Sequence, residues 1–270
     1  MMIFRDRYHR LRLRVMAPFV RVWYEQMSRL DRDGDMVFMN YGWASLDPTA
    51  PALPLQAEDE PNRYCIQLYH RVASAVDLRG LDALEVGCGR GGGASYVMRY
   101  LKPKSMTGLD QAARGIQFCQ RHHTSPGLTF VRGDAQALEF DPESFNIVIN
   151  VESSHCYPEV ERFFSGVQRV LRPGGYFLYA DHRPKEQIDT LRRQLRESGM
   201  TVCEEENISP NVVRALELDN ARKQALIQEK VPRFLQRFFD EFAGMEGTRS
   251  SYATLRRGAK VYLRFVLQRE

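Results

Sequence analysis

From Asn62 to Val76 the apolar residues Ile66, Leu68, Tyr69, Val72, Ala73 and Val76 recur at the three- and four-residue spacing of a helix that buries one face. The short apolar run Leu84-Glu85-Val86 follows and reads as a strand. The period then alternates: a helix from about Ala94 to Leu101, a strand at Ser105 to Leu109, a helix around Arg114 to His122 and a strand at Leu128 to Arg132. Phe145 to Val151 is apolar throughout, as a strand buried on both faces should be, and a helix over Pro158 to Leu171 leads to the strand Tyr176 to Ala180. Strands alternating with helices build a parallel sheet, so the expected fold class is α/β.

Two stretches break this rhythm. The first 60 residues look helical and then irregular, ending in the proline-containing run Asp47 to Pro54, where helix propagation is disfavoured. Between two late strands, Val212, Val213, Leu216, Leu226, Ile227, Val231, Phe234 and Phe238 form long helical stripes. Lys260 to Gln268 alternates as a strand after the turn signal Arg257-Gly258. The expected organisation is an appendage over 1–60 covering the site, a binding core over 61–207, a helical cap over 208–247 and a return to the core over 248–270.

At 270 residues, 43% hydrophobic and 27% charged, the chain suits one substantial core and neither wholesale disorder nor a membrane-embedded body. No run approaches the roughly 18 apolar residues of a spanning helix, and the amino terminus lacks a signal-peptide apolar region, so the expected compartment is the cytoplasm. Cys65, Cys88, Cys119, Cys156 and Cys203 are odd in number, dispersed and without a CxxC pair, which argues for reduced thiols and against a bound metal. The net charge of +4 is modest, but Arg5, Arg7, Arg10, Arg12 and Arg14 form a basic cluster. Interleaved with Phe4, Tyr8, Leu11 and Leu13, it fits either peripheral contact with an anionic membrane or a solvated helix face, the second being favoured.

The chemistry concentrates in Glu85-Val86-Gly87-Cys88-Gly89-Arg90-Gly91-Gly92-Gly93, where a strand gives way to a helix and missing side chains let backbone amides approach a ligand. Gly87, Gly89 and Gly92 also satisfy the GxGxxG spacing of a dinucleotide site, so a nicotinamide oxidoreductase stays open here. Glu85 tips the balance: an acid within a buried strand needs a cationic partner. Asp110, in Gly108-Leu109-Asp110-Gln111, can accept both ribose hydroxyl protons, though NAD proteins share that feature.

The string Glu85 to Gly91 resembles the first motif of class I S-adenosylmethionine-dependent methyltransferases. Gly133-Asp134-Ala135 resembles the motif after the third strand, Asn146 to Glu152 the fourth-strand motif, and Leu171 to Tyr176 the turn before the fifth. This resemblance implies a Rossmann-like, seven-stranded, mostly parallel sheet and S-adenosylmethionine as cofactor. It implies cofactor-binding roles for Glu85, Gly87, Gly89, Asp110, Gln111, Asp134, Ala135 and Asn150, with Asp134 on the adenine amino group. Nucleic-acid base methylation usually carries an Asn/Asp-Pro-Pro-aromatic string after the fourth strand. Asn150-Val151-Glu152-Ser153 is not one, and with the weak net charge no nucleic-acid partner is expected.

Asp59-Glu60-Pro61-Asn62-Arg63, Leu68-Tyr69-His70-Arg71, Gly91 to Tyr96 and Asn150 to Pro158 are more specific. They resemble the mycobacterial phthiotriol dimycocerosate O-methyltransferases and their fatty-acid O-methyltransferase relatives, from about residue 37 onward and most weakly in the cap. The resemblance implies a hydroxyl or carboxylate oxygen on a hydrophobic lipid acceptor, with the cap's apolar stripes as material for its tunnel. Carbon or nitrogen acceptors, or a cofactor-binding module without catalysis, are the alternatives. His155, just past the fourth strand near the topological switch point, is the candidate catalytic residue; His182 shares the location, and His122 and His123 are expected to face water. Tyr24 and Tyr41 could close over the donor, and Tyr41 is carried as a cofactor-binding candidate.

Overall fold

The computed structural model describes residues 36–245 and 251–270, so the basic cluster Arg5 to Arg14 and Tyr24 lie outside the described residues. After an irregular segment and a 3-10 turn, helix α1 (Arg63–Ala73) leads into β1 (Asp82–Val86). There follow α2 (Gly92–Tyr96, continued by a π-turn to Leu101), β2 (Ser105–Asp110), α3 (Ala113–His122), β3 (Leu128–Arg132), β4 (Phe145–Val151), α4 (Val160–Val170) and β5 (Leu171–Pro184). The chain closes with α5 (Ile188–Glu197), β6 (Met200–Asn207), α6 (Ser209–Lys230), α7 (Arg233–Phe242), α8 (Ser251–Arg256) and β7 (Lys260–Arg269).

The seven strands form one sheet in the order β3-β2-β1-β4-β5-β7-β6. All neighbouring pairs from β3 to β5 are parallel, and β7 inserts antiparallel between β5 and β6. The order reverses between β1 and β4, and at such a switch point diverging crossovers open a crevice beyond the strands' carboxyl ends.

Two-residue strand periodicity divides the core. Leu84, Val86 and Val148 face Phe163 and Phe164 of α4, whereas Ala83, Ile147 and Ile149 pack on Ile66, Leu68 and Val72 of α1. Glu85 is thereby turned toward the α1 side, where Tyr69 waits. No helix among the described residues is long and apolar enough to cross a membrane.

Two details depart from the sequence expectation. The fifth strand begins at Leu171, and Arg172-Pro173-Gly174-Gly175 is an irregularity inside it, opposite a register shift between Phe145 and Ile147 with Gly174 at φ +78°. His122 is exposed, but His123 is partly buried: its Nε2 lies 2.8 Å from the Arg90 carbonyl, and burial pushes its pKa down to about 4. Residues 36–56 are irregular and lie against the body, the Trp43 amide donating to the Tyr64 carbonyl at 2.9 Å.

Candidate active site

A cleft opens over the carboxyl ends of β1, β2 and β4, enclosing about 1120 Å³ with its open mouth included. Of the residues expected to hold a cofactor, Gly87, Gly89, Asp110, Gln111, Asp134 and Ala135 all line it. Gly87 (φ +77°) and Gly89 (φ +54°) are in the left-handed region that only glycine enters freely. A Cβ on Gly87 would also press on Ser153 Oγ and meet Tyr157 Oη at 2.9 Å, whereas one on Gly89 would meet only the flexible end of Met39.

Asp110 ends β2 and braces this turn. Its Oδ2 accepts the Gly89 N–H at 2.9 Å and its Oδ1 accepts the Ala112 N–H at 2.9 Å. Burial raises its pKa above the usual carboxylate range, against the pull of those amides. Asp134 follows β3 and accepts the Gln136 N–H at 2.8 Å. Glu152, past β4, sits at φ +53°; its Oε2 accepts from the Tyr41 N–H at 2.9 Å and the Tyr262 hydroxyl at 3.1 Å, and burial pushes its pKa up to about 7.

Three expected cofactor residues do not line the cleft. Glu85 is fully buried behind Tyr69, whose hydroxyl donates to Oε1 at 2.6 Å, while Oε2 has no hydrogen-bond partner. Asn150 is also fully buried; its Nδ2 donates to the Val86 carbonyl at 2.8 Å and to Ser153 Oγ at 2.7 Å, so it ties β4 to the end of β1. Tyr41 turns away from the cleft: its hydroxyl donates to Ser251 Oγ at 2.7 Å and its ring stacks on His182 with centroids 5.6 Å apart. Glu152 and Tyr69, which do line it, were missed as binding residues, although Glu152 carries the same mark as Glu85: an acid at the end of a buried apolar strand.

The charges decide what this cleft can hold. Its charged lining residues are Asp110, Asp134 and Glu152 against Arg90, with Glu85 one layer behind. A pyrophosphate would face three acids there. A ligand with cationic groups and no phosphate answers the surplus negative charge and the orphaned Glu85 oxygen, and S-adenosylmethionine, with its ammonium and sulfonium, fits that description.

Beside the cleft stands a second constellation. Asp181, near the end of β5, is fully buried and its carboxylate collects donors: Ser154 Oγ at 2.7 Å, the His155 N–H at 2.8 Å, His155 Nδ1 at 2.8 Å, the His182 N–H at 2.7 Å and Arg183 Nη1 at 3.1 Å. Burial alone would raise its pKa, but the charges of His155 and Arg183 hold it well below the usual range. His155 keeps 29% of its side chain exposed and adjoins Cys156, which lines the cleft. Burial would lower the His155 pKa, yet the charges of Cys156 and Asp181 raise it, while His155 in turn lowers the Cys156 thiol, so the two titrate together with the imidazolium favoured. His182, with its ring 4.3 Å from His155, is held neutral by burial and that neighbouring charge.

His155, Asp181 and His182 bring their ligand atoms close enough for a metal ion. However, His155 Nδ1 is hydrogen-bonded to Asp181 and Arg183 already supplies a cation, so the arrangement is an imidazolium–carboxylate pair. Asp181 was not foreseen, although an acid in Tyr179-Ala180-Asp181-His182, at the end of the strand beside β4, is legible by the argument that selected His155.

Comparison with known proteins agrees with this geometry. Residues 84–179 match the family model described as a methyltransferase domain. A phthiotriol/phenolphthiotriol dimycocerosates methyltransferase from Mycobacterium tuberculosis is 47% identical over 231 residues, covering 86% of this chain and 85% of that protein. A fatty-acid O-methyltransferase from Mycolicibacterium smegmatis is 41% identical over 253 residues, covering 94% and 90%. Among solved structures, a putative sarcosine dimethylglycine methyltransferase from Galdieria sulphuraria superposes with TM-score 0.69 at 13% identity, over 92% of this chain and 98% of that one. The [4+2]-cyclase SpnF does so with TM-score 0.67 at 18% identity, over 93% and 94%; at these identities the likeness is one of fold.

Proposed function

The chain belongs to the class I methyltransferases, in the group of the mycobacterial phthiotriol/phenolphthiotriol dimycocerosates enzymes, and from that premise we propose that it is an O-methyltransferase of hydrophobic lipids that uses S-adenosylmethionine. The donor supplies an electrophilic methyl on a sulfonium, displaced in line as the new oxygen–carbon bond forms and the carbon–sulfur bond breaks.

The protein's share is binding, charge and alignment. The Gly87–Gly89 turn and the walls at Gln111 and Ala135 shape the donor's bed. Each Asp110 oxygen keeps acceptor capacity beyond its one backbone amide, which suits ribose hydroxyls, and Asp134 suits the adenine amino group. Glu85 and Glu152 bring negative charge to the cationic half. Relatives named for lipid acceptors, together with an apolar cavity between residues 36–41 and helices α6 and α7, support a hydrocarbon-bearing acceptor. Such acceptors partition into membranes, and the cluster Arg5 to Arg14 would suit peripheral contact with an anionic leaflet from the cytoplasmic side.

The observation that carries the oxygen-acceptor reading is the His155–Asp181 pair at 2.8 Å, next to cleft-lining Cys156. Asp181 accepts from Nδ1 and fixes the ring, and the charges of Cys156 and Asp181 favour its protonated form; the other ring N–H, within reach of Cys156, is the donor offered to an acceptor oxygen. A carboxylate is already nucleophilic and only needs holding, which the imidazolium does. A hydroxyl would require His155 to give up its proton first, so its methylation would rise with pH as the ring deprotonates.

Single-turnover transfer with His155→Ala and Asp181→Asn tests this. With a carboxylate acceptor both variants should weaken acceptor affinity by roughly 10- to 100-fold and leave the saturated rate nearly intact. With a hydroxyl acceptor His155→Ala should slow transfer by about 100- to 10,000-fold. Wild-type affinity and rate in both variants would refute the pair's role.

A further inference from the structure

The cavity between residues 36–41 and the cap helices is graded along α6. Asp219, Arg222, Lys223, Leu226 and Ile227 share one helix face by their spacing; Arg222 and Lys223 line one part of the cavity, while Met36, Ile227 and Phe239 line its apolar part. At the charged part the pairing is incomplete. Arg222 takes both oxygens of buried Asp219 in a fork, Nε to Oδ1 at 2.6 Å and Nη2 to Oδ2 at 2.7 Å. Lys223 is left with Oδ2 at 3.8 Å, beyond hydrogen-bond reach. Its Nζ is buried without a hydrogen-bond partner, and its side chain is only 12% exposed.

An ammonium desolvated in an apolar cavity with its donors unmet is costly unless a ligand completes it. One acid against two bases leaves a single positive charge, which one carboxylate neutralises and a phosphate dianion would overshoot. From this head and the apolar lining beyond it we infer that the cavity binds a long-chain carboxylate, with its carboxylate on Lys223 and its chain toward Ile227 and Phe239. The inference rests on the reading of this cavity as the acceptor's and gives that acceptor an acidic group.

Equilibrium binding to the full chain without methyl donor provides the test, with palmitate against hexadecanol as the neutral probe of equal length. Palmitate should bind about 10- to 100-fold more tightly, the preference should disappear in Lys223→Met and persist in Lys223→Arg, and the alcohol should bind all three proteins alike. Equal affinity for acid and alcohol in the wild-type protein overturns the inference even if a variant does not fold, as does a preference that survives Lys223→Met. Incubation with labelled donor then separates the sources of the charge: a base-labile ester shows that the bound carboxylate is itself methylated, and a base-stable ether on a hydroxy acid shows that it anchors a lipid methylated elsewhere. A chain that methylates no lipid oxygen but keeps the Lys223-dependent preference would refute the proposed reaction and leave this site standing.

Discussion

Glu85→Gln isolates the electrostatic cost of the donor cleft. The substitution keeps the side chain's shape and its acceptor for the Tyr69 hydroxyl, and it removes a charge whose second oxygen is buried without a partner. Burial pushes the Glu85 pKa from an ordinary 4.5 to about 7, with the Tyr69 hydroxyl and the Ala94 amide pulling down and Asp110 pushing up. Between those two values the folded protein holds a proton that the unfolded chain has released, so stability falls as pH rises through the window. At about 1.4 kcal/mol for each pH unit of the gap, the ionised carboxylate costs the donor-free protein roughly 3 kcal/mol. The amide brings its own unpaired donor, at a cost of about 1 to 3 kcal/mol, but that cost does not vary with pH and cancels in the comparison. Urea unfolding at about pH 4.5 and about pH 8.5 should therefore show the variant gaining roughly 3 kcal/mol on the wild type between the two conditions, while groups such as Glu152, common to both proteins, cancel. Donor affinity in the variant should fall at least about tenfold. A stability difference independent of pH would refute the reasoning, because Glu85 would then not be a buried acid whose charge the Tyr69 hydroxyl and the Ala94 amide fail to offset.

Asp110→Ala should weaken binding of S-adenosylhomocysteine by roughly 1.5 to 3 kcal/mol in calorimetry, and unchanged affinity would remove Asp110 from the ribose site. Gly93→Ala should destabilise by about 1 to 3 kcal/mol in denaturant unfolding, because the new methyl would land 2.1 Å from the Tyr69 ring and press on the group that holds Glu85. Specificity along a homologous acceptor series should climb by up to about 0.8 kcal/mol per methylene until the cavity is full, and a flat series would count against an apolar acceptor channel.

The parallel half of the sheet was legible because β4 is an apolar run and helices with one apolar face separate the strands, although Glu85 interrupts β1 and β3 exposes three of its five residues. The edge strand β6 was not, since Cys203, Glu204 and Glu205 are exposed and Met200 alone in the strand is buried, which leaves little alternation to read. The glycine turn, Asp110 and Asp134 were legible because backbone geometry and strand ends constrain which residue types serve there. Asn150 and Tyr41 were misplaced for a different reason. A motif gives position along the chain, but the direction of a side chain depends on partners far away in sequence, here the Val86 carbonyl for Asn150 and Ser251 for Tyr41. The pairing of His155 with Asp181 likewise depends on β4 and β5 lying side by side, which sequence order alone does not state.

The acids that strain the donor-free protein also bear on turnover. Asp110, Asp134 and Glu152 face the cleft with Arg90 as the opposing charge, and Glu85 adds a fourth carboxylate behind them. Because Glu85 and Glu152 are pushed up to about 7, a cation in the cleft binds most tightly when both have lost their protons, and its arrival favours that loss. Methyl transfer removes the sulfonium charge and leaves a neutral thioether, so the same carboxylates attract the spent donor less than the fresh one. In the proposed reaction buried negative charge thus favours donor capture before transfer and donor release after it. In the proposed reaction the His155–Asp181 pair supplies a hydrogen-bond donor beside the cleft for the acceptor oxygen. The acids stand at the ends of β1, β2 and β4 and the His155–Asp181 pair just beyond β4 against β5, so under the proposed reaction the strand order sets the two half-sites side by side.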